Sequence, residues 1–353
     1  MPTRGPKTGD DVRRMAAAIS LSERGRGRTT PNPNVGCVIV QHGRVVGRGW
    51  TQPGGRPHAE AMALEQAGAA AEGATVYVTL EPCAHQSPRG PACADLLVAA
   101  KPARVVVALI DPDPRTEGKG VDRLRAAGIA VTEGVSADLA RRAMAGFLIR
   151  RALGRPHVTL KLATSLDGRI ALPSGESRWI TGPEARAHAH LERARADAIL
   201  VGRGTFDADA PKLDVRLAGL EDRSPTRLIL STRNPFVLSE VEVRAASDTA
   251  RGPSFDFAQD ERSWGWLASP QKIASLPADH LLIEGGASAA SAFLAADLVD
   301  RLLLYRAPIL IGEGRACIGD IGLGSLAETH GRWSLTDSRM IGADRLEIYE
   351  RRR

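Results

Sequence analysis

HAEAMALEQAGAAAEGATVYVTLEPCAHQSPRGPAC, residues 58–93, decides how the rest of the chain is read. It opens on His58-Ala59-Glu60. An Ala-rich run then predicts a helix over 58–71, and a strand follows over 74–80. Glu81-Pro82-Cys83 and Cys93 close it. His58 and Glu60 fall in the first helical turn, where backbone N–H groups point out of the helix end. An imidazole with two thiols is a donor set for Zn²⁺, and three protein ligands leave a fourth position for water, the mark of a catalytic site. Glu60 is then the residue to carry a proton. A structural reading competes, with Cys83 and Cys93 as ordinary buried thiols and His58 as a helix-cap residue. The order of the three ligand types favours the metal.

That order matches the zinc nucleobase deaminases, in which a His and two Cys hold the ion and a Glu that is not a ligand moves protons. The usual pattern has two residues between its cysteines; here nine intervene. Upstream, Asp11 to Ser22 predicts a helix, with Asp10 or Asp11 as its cap. Pro31-Asn32-Pro33-Asn34 leads into the apolar run Val35 to Val40, read as a buried strand, and Gln41 to Arg44 turns it back toward Trp50. Asn32 and Asn34 have two readings: amides that meet a pyrimidine edge, or turn formers beside prolines. Downstream, strands over 104–110 and 129–131 alternate with a helix over 121–128, which argues a sheet flanked by helices. A single helix over 137–149 closes this half, and Gly154-Arg155-Pro156 marks the boundary. The expected division is a deaminase domain over 1–150 and a second domain over 151–353.

With 353 residues, two domains are the better prior. The net charge of +6 comes from scattered Arg, and aromatics make up only 4% of the chain. A nucleic-acid surface needs a basic face with stacking aromatics, so no nucleic-acid partner is expected. A diffuse positive field suits a small phosphorylated substrate. Cys37 and Cys317 imply no disulfide framework. No apolar run is long enough to span a membrane and no apolar signal segment is evident. The expectation is a cytoplasmic protein with no membrane partner, acting as a homo-oligomer.

The second half begins with a strand over 157–163. It continues through Ser165-Leu166-Asp167-Gly168-Arg169, a helix over 183–195 and a strand over 198–202. Leu281-Leu282-Ile283-Glu284-Gly285-Gly286 feeds a helix, an anion-binding arrangement or simply a tight turn. It is not the G-x-G-x-x-G fingerprint, so a Rossmann domain is not supported. Residues 236–263 keep neither period and read as a surface excursion.

Pro31-Asn32-Pro33-Asn34-Val35-Gly36-Cys37, His58-Ala59-Glu60, Thr79-Leu80-Glu81-Pro82-Cys83 and Ser165-Leu166-Asp167-Gly168-Arg169 resemble the bifunctional riboflavin-biosynthesis deaminase/reductase family. Gly175-Glu176-Ser177, Trp179-Ile180-Thr181 and Glu284-Gly285-Gly286 add to the resemblance. It implies a cytidine-deaminase-like three-layer αβα domain followed by a dihydrofolate-reductase-like α/β domain. The implied reactions are zinc-dependent deamination of 2,5-diamino-6-ribosylamino-4(3H)-pyrimidinone 5′-phosphate, then NADPH reduction of the ribosyl group of the product. The resemblance makes His58, Cys83 and Cys93 the zinc ligands and Glu60 the proton shuttle. It assigns Ala163, Trp179, Thr205, Asp209, Thr232, Gly286, Ala287, Ser288, Ala289, Ala290, Ser291 and Ala292 to NADP. Ser177, Arg193, Leu213, Arg216 and Glu284 go to the substrate, the two arginines as a phosphate clamp.

Three departures stand out. The Cys83–Cys93 loop is one residue longer than usual, Ala210 replaces the second Asp of an Ala-Asp-Asp-Pro pattern, and 236–263 does not look like the family. The alternative they leave is a zinc deaminase acting on another nucleobase or on nucleic acid, with a degenerate, ligand-sensing reductase-like half.

Overall fold

Helix α1 (Gly9–Ser22) starts at Thr8, whose hydroxyl accepts from Asp11 N–H while the Asp11 carboxylate accepts from Thr8 N–H, a reciprocal capping box. The expected cap at Asp10 or Asp11 is therefore corrected to Thr8. Asp11 has a second task, since its buried carboxylate also binds Arg104 and the Tyr77 hydroxyl. The computed structural model describes residues 8–233 and 264–353, and the chain divides into two units, Met1–Arg155 and Pro156–Arg353. The excursion read at 236–263 lies outside the described residues.

In the first unit the apolar run after Asn34 becomes β1 (Gly36–Gln41), buried along nearly its whole length. It turns at Gly43 into β2 (Arg44–Trp50). Next come α2 (Ala59–Ala67), β3 (Thr75–Val78), α3 (Cys93–Ala100), β4 (Arg104–Val107), α4 (Lys119–Ala126) and β5 (Ala130–Glu133). The sheet order is β2-β1-β3-β4-β5, antiparallel around β1 and parallel from β3 to β5. The closing helix expected over 137–149 is instead two, α5 (Ala137–Ala143) and α6 (Ala145–Leu153), broken at Met144.

Two glycines of β2 set where α2 lies. A Cβ on Gly47 would stand 2.2 Å from Ala63 O, and one on Gly49 2.0 Å from Ala59 O. Residues two apart on a strand share a face, so this bare face lets the helix backbone settle directly onto the strand. Gly36 does the same for α1, where a Cβ would meet Ala18 O at 1.9 Å. The core between the layers is made by Val38, Ile39, Val76, Val78, Leu97, Val105 and Leu124, all essentially buried.

The second unit is built on one mixed sheet. Its strands are β6 (His157–Thr164), β8 (Ala198–Gly202), β9 (Thr226–Leu230), β10 (Trp264–Leu267), β11 (His280–Glu284), β12 (Arg301–Arg306), β14 (Trp333–Ile341) and β15 (Asp344–Arg351). The order is β10-β9-β8-β11-β6-β12-β15-β14. Strands β10 through β12 run parallel, and β15 and β14 add antiparallel at one edge. Strands β8 and β11 are fully buried, as expected of parallel strands covered on both faces. Helices α7 (Pro183–Ala194), α8 (Arg203–Asp209) and α9 (Ala287–Ala295) follow their strands. The short pair β7 (Arg169–Ala171) and β13 (Arg315–Ala316) stands apart.

Candidate active sites

His58 is the residue that caps α2, placed there by the glycine face of β2. Cys83 sits in the loop after β3, and Cys93 is the first residue of α3. Their side chains meet. His58 Nδ1 lies 3.6 Å from Cys83 Sγ and 3.4 Å from Cys93 Sγ, and the three donor atoms fall within 4.8 Å of one another. Tetrahedral Zn²⁺ with ordinary N and S bond lengths separates its ligands by about 3.5 Å, so this donor set fits zinc. The Cys93 backbone N–H reaches Cys83 Sγ at 3.2 Å. The Cys93 thiol and His58 also hydrogen-bond to Cys83, and together these contacts pull the Cys83 thiol down to about 4. The Cys93 thiol is held up by its bond to Cys83 and by burial.

Glu60, only 3% exposed, is beside this triad. Burial pushes its carboxyl up to about 7, against the pull of His58. A cavity of about 260 Å³ opens over these groups, walled by Asn32, Arg56, the 85–89 loop, Asp111, Asp113, Arg115 and Arg151. Asn32 is on that wall, although its Nδ2 donates to Gly55 O at 2.8 Å. Asn34 is not brought to it, and the pyrimidine-edge reading is corrected there. Its Nδ2 donates to Ser22 O and Ala143 O, so the amide is spent on holding α1 and α5.

Glu81 was legible only as part of the Glu-Pro-Cys run. Its buried carboxylate accepts four backbone N–H groups, from Asp111, Gly118, Gly120 and Val121. It therefore shapes the 111–121 loop that carries Asp111, Asp113 and Arg115. Asp111-Pro112-Asp113-Pro114 gave only a turn signal in sequence.

In the second unit a cavity of about 670 Å³ opens beyond the carboxyl ends of β6, β8 and β11, where ligands of open parallel sheets bind. Of the expected residues its wall holds Ala163, Ser177, Trp179, Arg193, Thr205, Asp209, Leu213, Arg216, Glu284 and Gly286. Thr232 and residues Ala287–Ala292 are not on it. Ala289 and Ala290 are buried in the core, and Ser291 Oγ accepts from Gly319 N–H. Gly285 and Gly286 both have positive φ, and a Cβ on Gly286 would meet Thr205 Oγ1 at 2.8 Å. A cradle without side chains at the start of α9 suits a dinucleotide phosphate, and the cavity is of the size that cofactors take.

The expected arginine clamp does not form as a pair of free cations. Arg193 Nε and Nη2 grip both Glu284 oxygens at 2.6 and 2.8 Å, and Nη1 donates to Asp214 O. The side chains are 14% and 9% exposed. Arg216 is 57% exposed, and among the described residues its side chain makes polar contacts with Asp214 and His190. Sequence reading missed Lys161, whose ammonium burial disfavours while Glu284 supports it. The signal available was a lone Lys inside the apolar strand 157–163. Leu213 adopts φ +53° though it is a bulky, buried residue, the kind of backbone strain that collects at ligand sites.

Residues 9–109 match the family of cytidine and deoxycytidylate deaminase zinc-binding regions, and residues 156–346 match the RibD C-terminal domain. The riboflavin biosynthesis protein RibD of Escherichia coli is 39% identical, with 94% of this chain and 96% of that one covered. That of Aquifex aeolicus is also 39% identical, over 90% and 92%. The structure of Acinetobacter baumannii RibD superposes with a TM-score of 0.81 at 39% identity, covering 97% of this chain and 99% of that one. A deaminase/reductase from Thermotoga maritima, described as acting on diaminohydroxyphosphoribosylaminopyrimidine and 5-amino-6-(5-phosphoribosylamino)uracil, gives 0.81 at 31% identity over 97% and 98%. Matches spanning both halves do not favour a deaminase with a degenerate sensing half. A zinc-type triad in the first unit, a cofactor-sized cavity in the second, and relatives alike along nearly the whole chain give one answer: this chain belongs to the RibD family of riboflavin biosynthesis proteins.

Proposed function

We propose that the chain performs two successive steps of riboflavin biosynthesis. The first unit removes an amino group hydrolytically from 2,5-diamino-6-ribosylamino-4(3H)-pyrimidinone 5′-phosphate. The second reduces the ribosyl group of 5-amino-6-(5-phosphoribosylamino)uracil to ribityl with NADPH. The observation that carries this is the convergence of His58, Cys83 and Cys93 beside the buried Glu60. Zinc, when bound by those three residues, supplies the Lewis acidity that makes water a competent nucleophile near neutral pH. Glu60 takes the proton of the attacking water on its carboxylate and returns it to the departing amine. A carboxyl near 7 has both forms at hand at neutral pH.

NADPH supplies the hydride to the sugar carbon. Arg193 holds Glu284 ionised and fixed in plane. Opening the ribose ring needs a proton at its oxygen, and the partly buried Lys161 Nζ, whose ammonium form burial disfavours, stands on that wall with the ionised Glu284 as its counter-charge. Arg216 reaches the sugar phosphate. The same reading makes the protein a cytoplasmic homo-oligomer without a nucleic-acid or membrane partner; among the described residues no helix is long and apolar enough to cross a membrane.

A coupled assay tests the proposal, following ammonia release and NADPH oxidation with metal content. Glu60→Gln keeps zinc and loses deamination by about 10²–10⁴-fold, while reduction of already deaminated substrate continues. Cys83→Ser loses metal and deamination together. Undiminished deamination by Glu60→Gln, or no NADPH oxidation by the native chain, would sink it.

A further inference from the structure

Arg115 and Arg151 come from distant points in the chain and converge on one carboxylate at the cavity of the first unit. Asp113 Oδ2 accepts from Arg115 Nη2 and from Arg151 Nη2, each at 2.6 Å. Asp113 Oδ1 takes Arg115 N–H and Nε, both at 3.0 Å. The Asp113 side chain is 7% exposed, whereas those of Arg115 and Arg151 are 61% and 40% exposed. All three line the cavity that holds His58, Glu60 and Cys83. The neighbouring carboxylate, Asp111, is turned to its own loop and accepts from Asp113 N–H at 2.9 Å.

The anchoring does not exhaust the guanidiniums. Among the described residues, Arg115 Nη1 and Arg151 Nη1 and Nε carry no protein hydrogen bond. The Arg151 plane also lies over the Phe147 ring, 5.5 Å from its centre, which fixes its tilt. Two further arginines stand on the wall: Arg89, whose Nη2 donates to Gly54 O at 2.7 Å, and Arg56. Two cations against one anion leave a net single positive charge on this cluster, with N–H donors spare. Forked N–H groups match the oxygens of a phosphate monoester.

We propose that Arg115 and Arg151, splayed by Asp113, bind the 5′-phosphate of the pyrimidine substrate while its base lies against Glu60 and the metal ligands. This rests on the deaminase reading given above. In that arrangement Asp113 is a positioning residue. It keeps the two like charges together when the site is empty, and the arriving dianion completes the neutralisation.

The test uses the full-length zinc-loaded protein and two compounds, the phosphorylated pyrimidine and the same molecule after phosphatase treatment. Arg115→Gln and Arg151→Gln should each raise the deamination KM for the phosphorylated compound on the order of tenfold, with kcat unchanged. Neither should alter turnover of the phosphate-free compound, zinc content or NADPH oxidation. Inorganic phosphate should compete in the native protein and compete more weakly in both variants. Arg151→Lys keeps the charge but not the fork, and should lie between. Unchanged KM in both variants, or a parallel loss with the phosphate-free compound, overturns the proposal. If the native protein deaminates neither compound, it is the deaminase reading that fails. Calorimetry with ribose 5-phosphate then still decides the clamp, because the Arg115→Gln/Arg151→Gln double variant must bind one equivalent fewer than the native chain.

Discussion

Arg193 shows how a residue of the right type in the right place can have a different task from the one its sequence context suggests. Its guanidinium is committed to Glu284 on two oxygens, so removing it strands a carboxylate that is 8% exposed. Breaking a buried pair from one side costs about 3–5 kcal/mol. Arg193→Met should therefore lower thermal stability clearly and depress reductase kcat as well as raising KM. Arg216→Ala, at an exposed position, should raise KM alone. Melting curves and steady-state kinetics on both separate the two, and equal behaviour would return Arg193 to the clamp. Asp113 carries a pH signature. Its hydrogen bonds to Arg115 hold the carboxyl well below its ordinary 3.8. A depressed folded value means stability that is present above 3.8 and lost as the pH falls below it. Asp113→Asn should flatten that acid limb, read from melts of the native chain and variant across acid pH. The meeting of His58, Cys83 and Cys93 was legible because metal-ligand chemistry restricts residue type. Arg115, Arg151 and Lys161 were not, since Arg and Lys occur everywhere and only the fold says which ones face a cavity.

At the scale of elements, the strand β2 decides whether the first site exists. Gly47 and Gly49 let α2 rest on backbone, and His58 is the residue at the end of that helix. Gly49→Ala puts a methyl 2.0 Å from Ala59 O. Overpacking of this kind costs about 1–3 kcal/mol, and here the displaced element carries a metal ligand. The expected outcome is a folded protein with weakened zinc retention, measured against a chelator; unaltered retention would mean that α2 adjusts elsewhere. Most elements were legible from apolar period and turn residues. The break at Met144 was not, because Ala140, Ala143, Met144 and Phe147 keep one apolar face through it. Strands β14 and β15 were read only at Leu346 to Tyr349, since half of β14 faces outward with Leu335 and Met340 exposed.

At the scale of the whole molecule, the chain divides between Arg155 and Pro156, with a five-stranded sheet and its core before that point and an eight-stranded sheet with its own apolar clusters after it. Each unit buries its own apolar cluster, the condition for folding alone. A fragment of residues 1–155 should fold, bind zinc and deaminate, and residues 156–353 should oxidise NADPH with deaminated substrate. Fragments that are insoluble apart and active only when co-expressed would show that neither core suffices. At Gly154-Arg155-Pro156 a glycine with positive φ ends α6 and a proline precedes the next extended run, the signal on which the sequence reading placed its boundary. The parallel pairing of β9 with β10 has a further consequence for how this gene can change in length. Parallel neighbours need a return path of a dozen residues or more. Deletions between Leu230 and Trp264 therefore have a floor, below which the outermost strand must detach. No comparable ceiling exists, because each doubling of a connection costs only about 0.6 kcal/mol. That join is a ratchet that admits added sequence more readily than lost sequence.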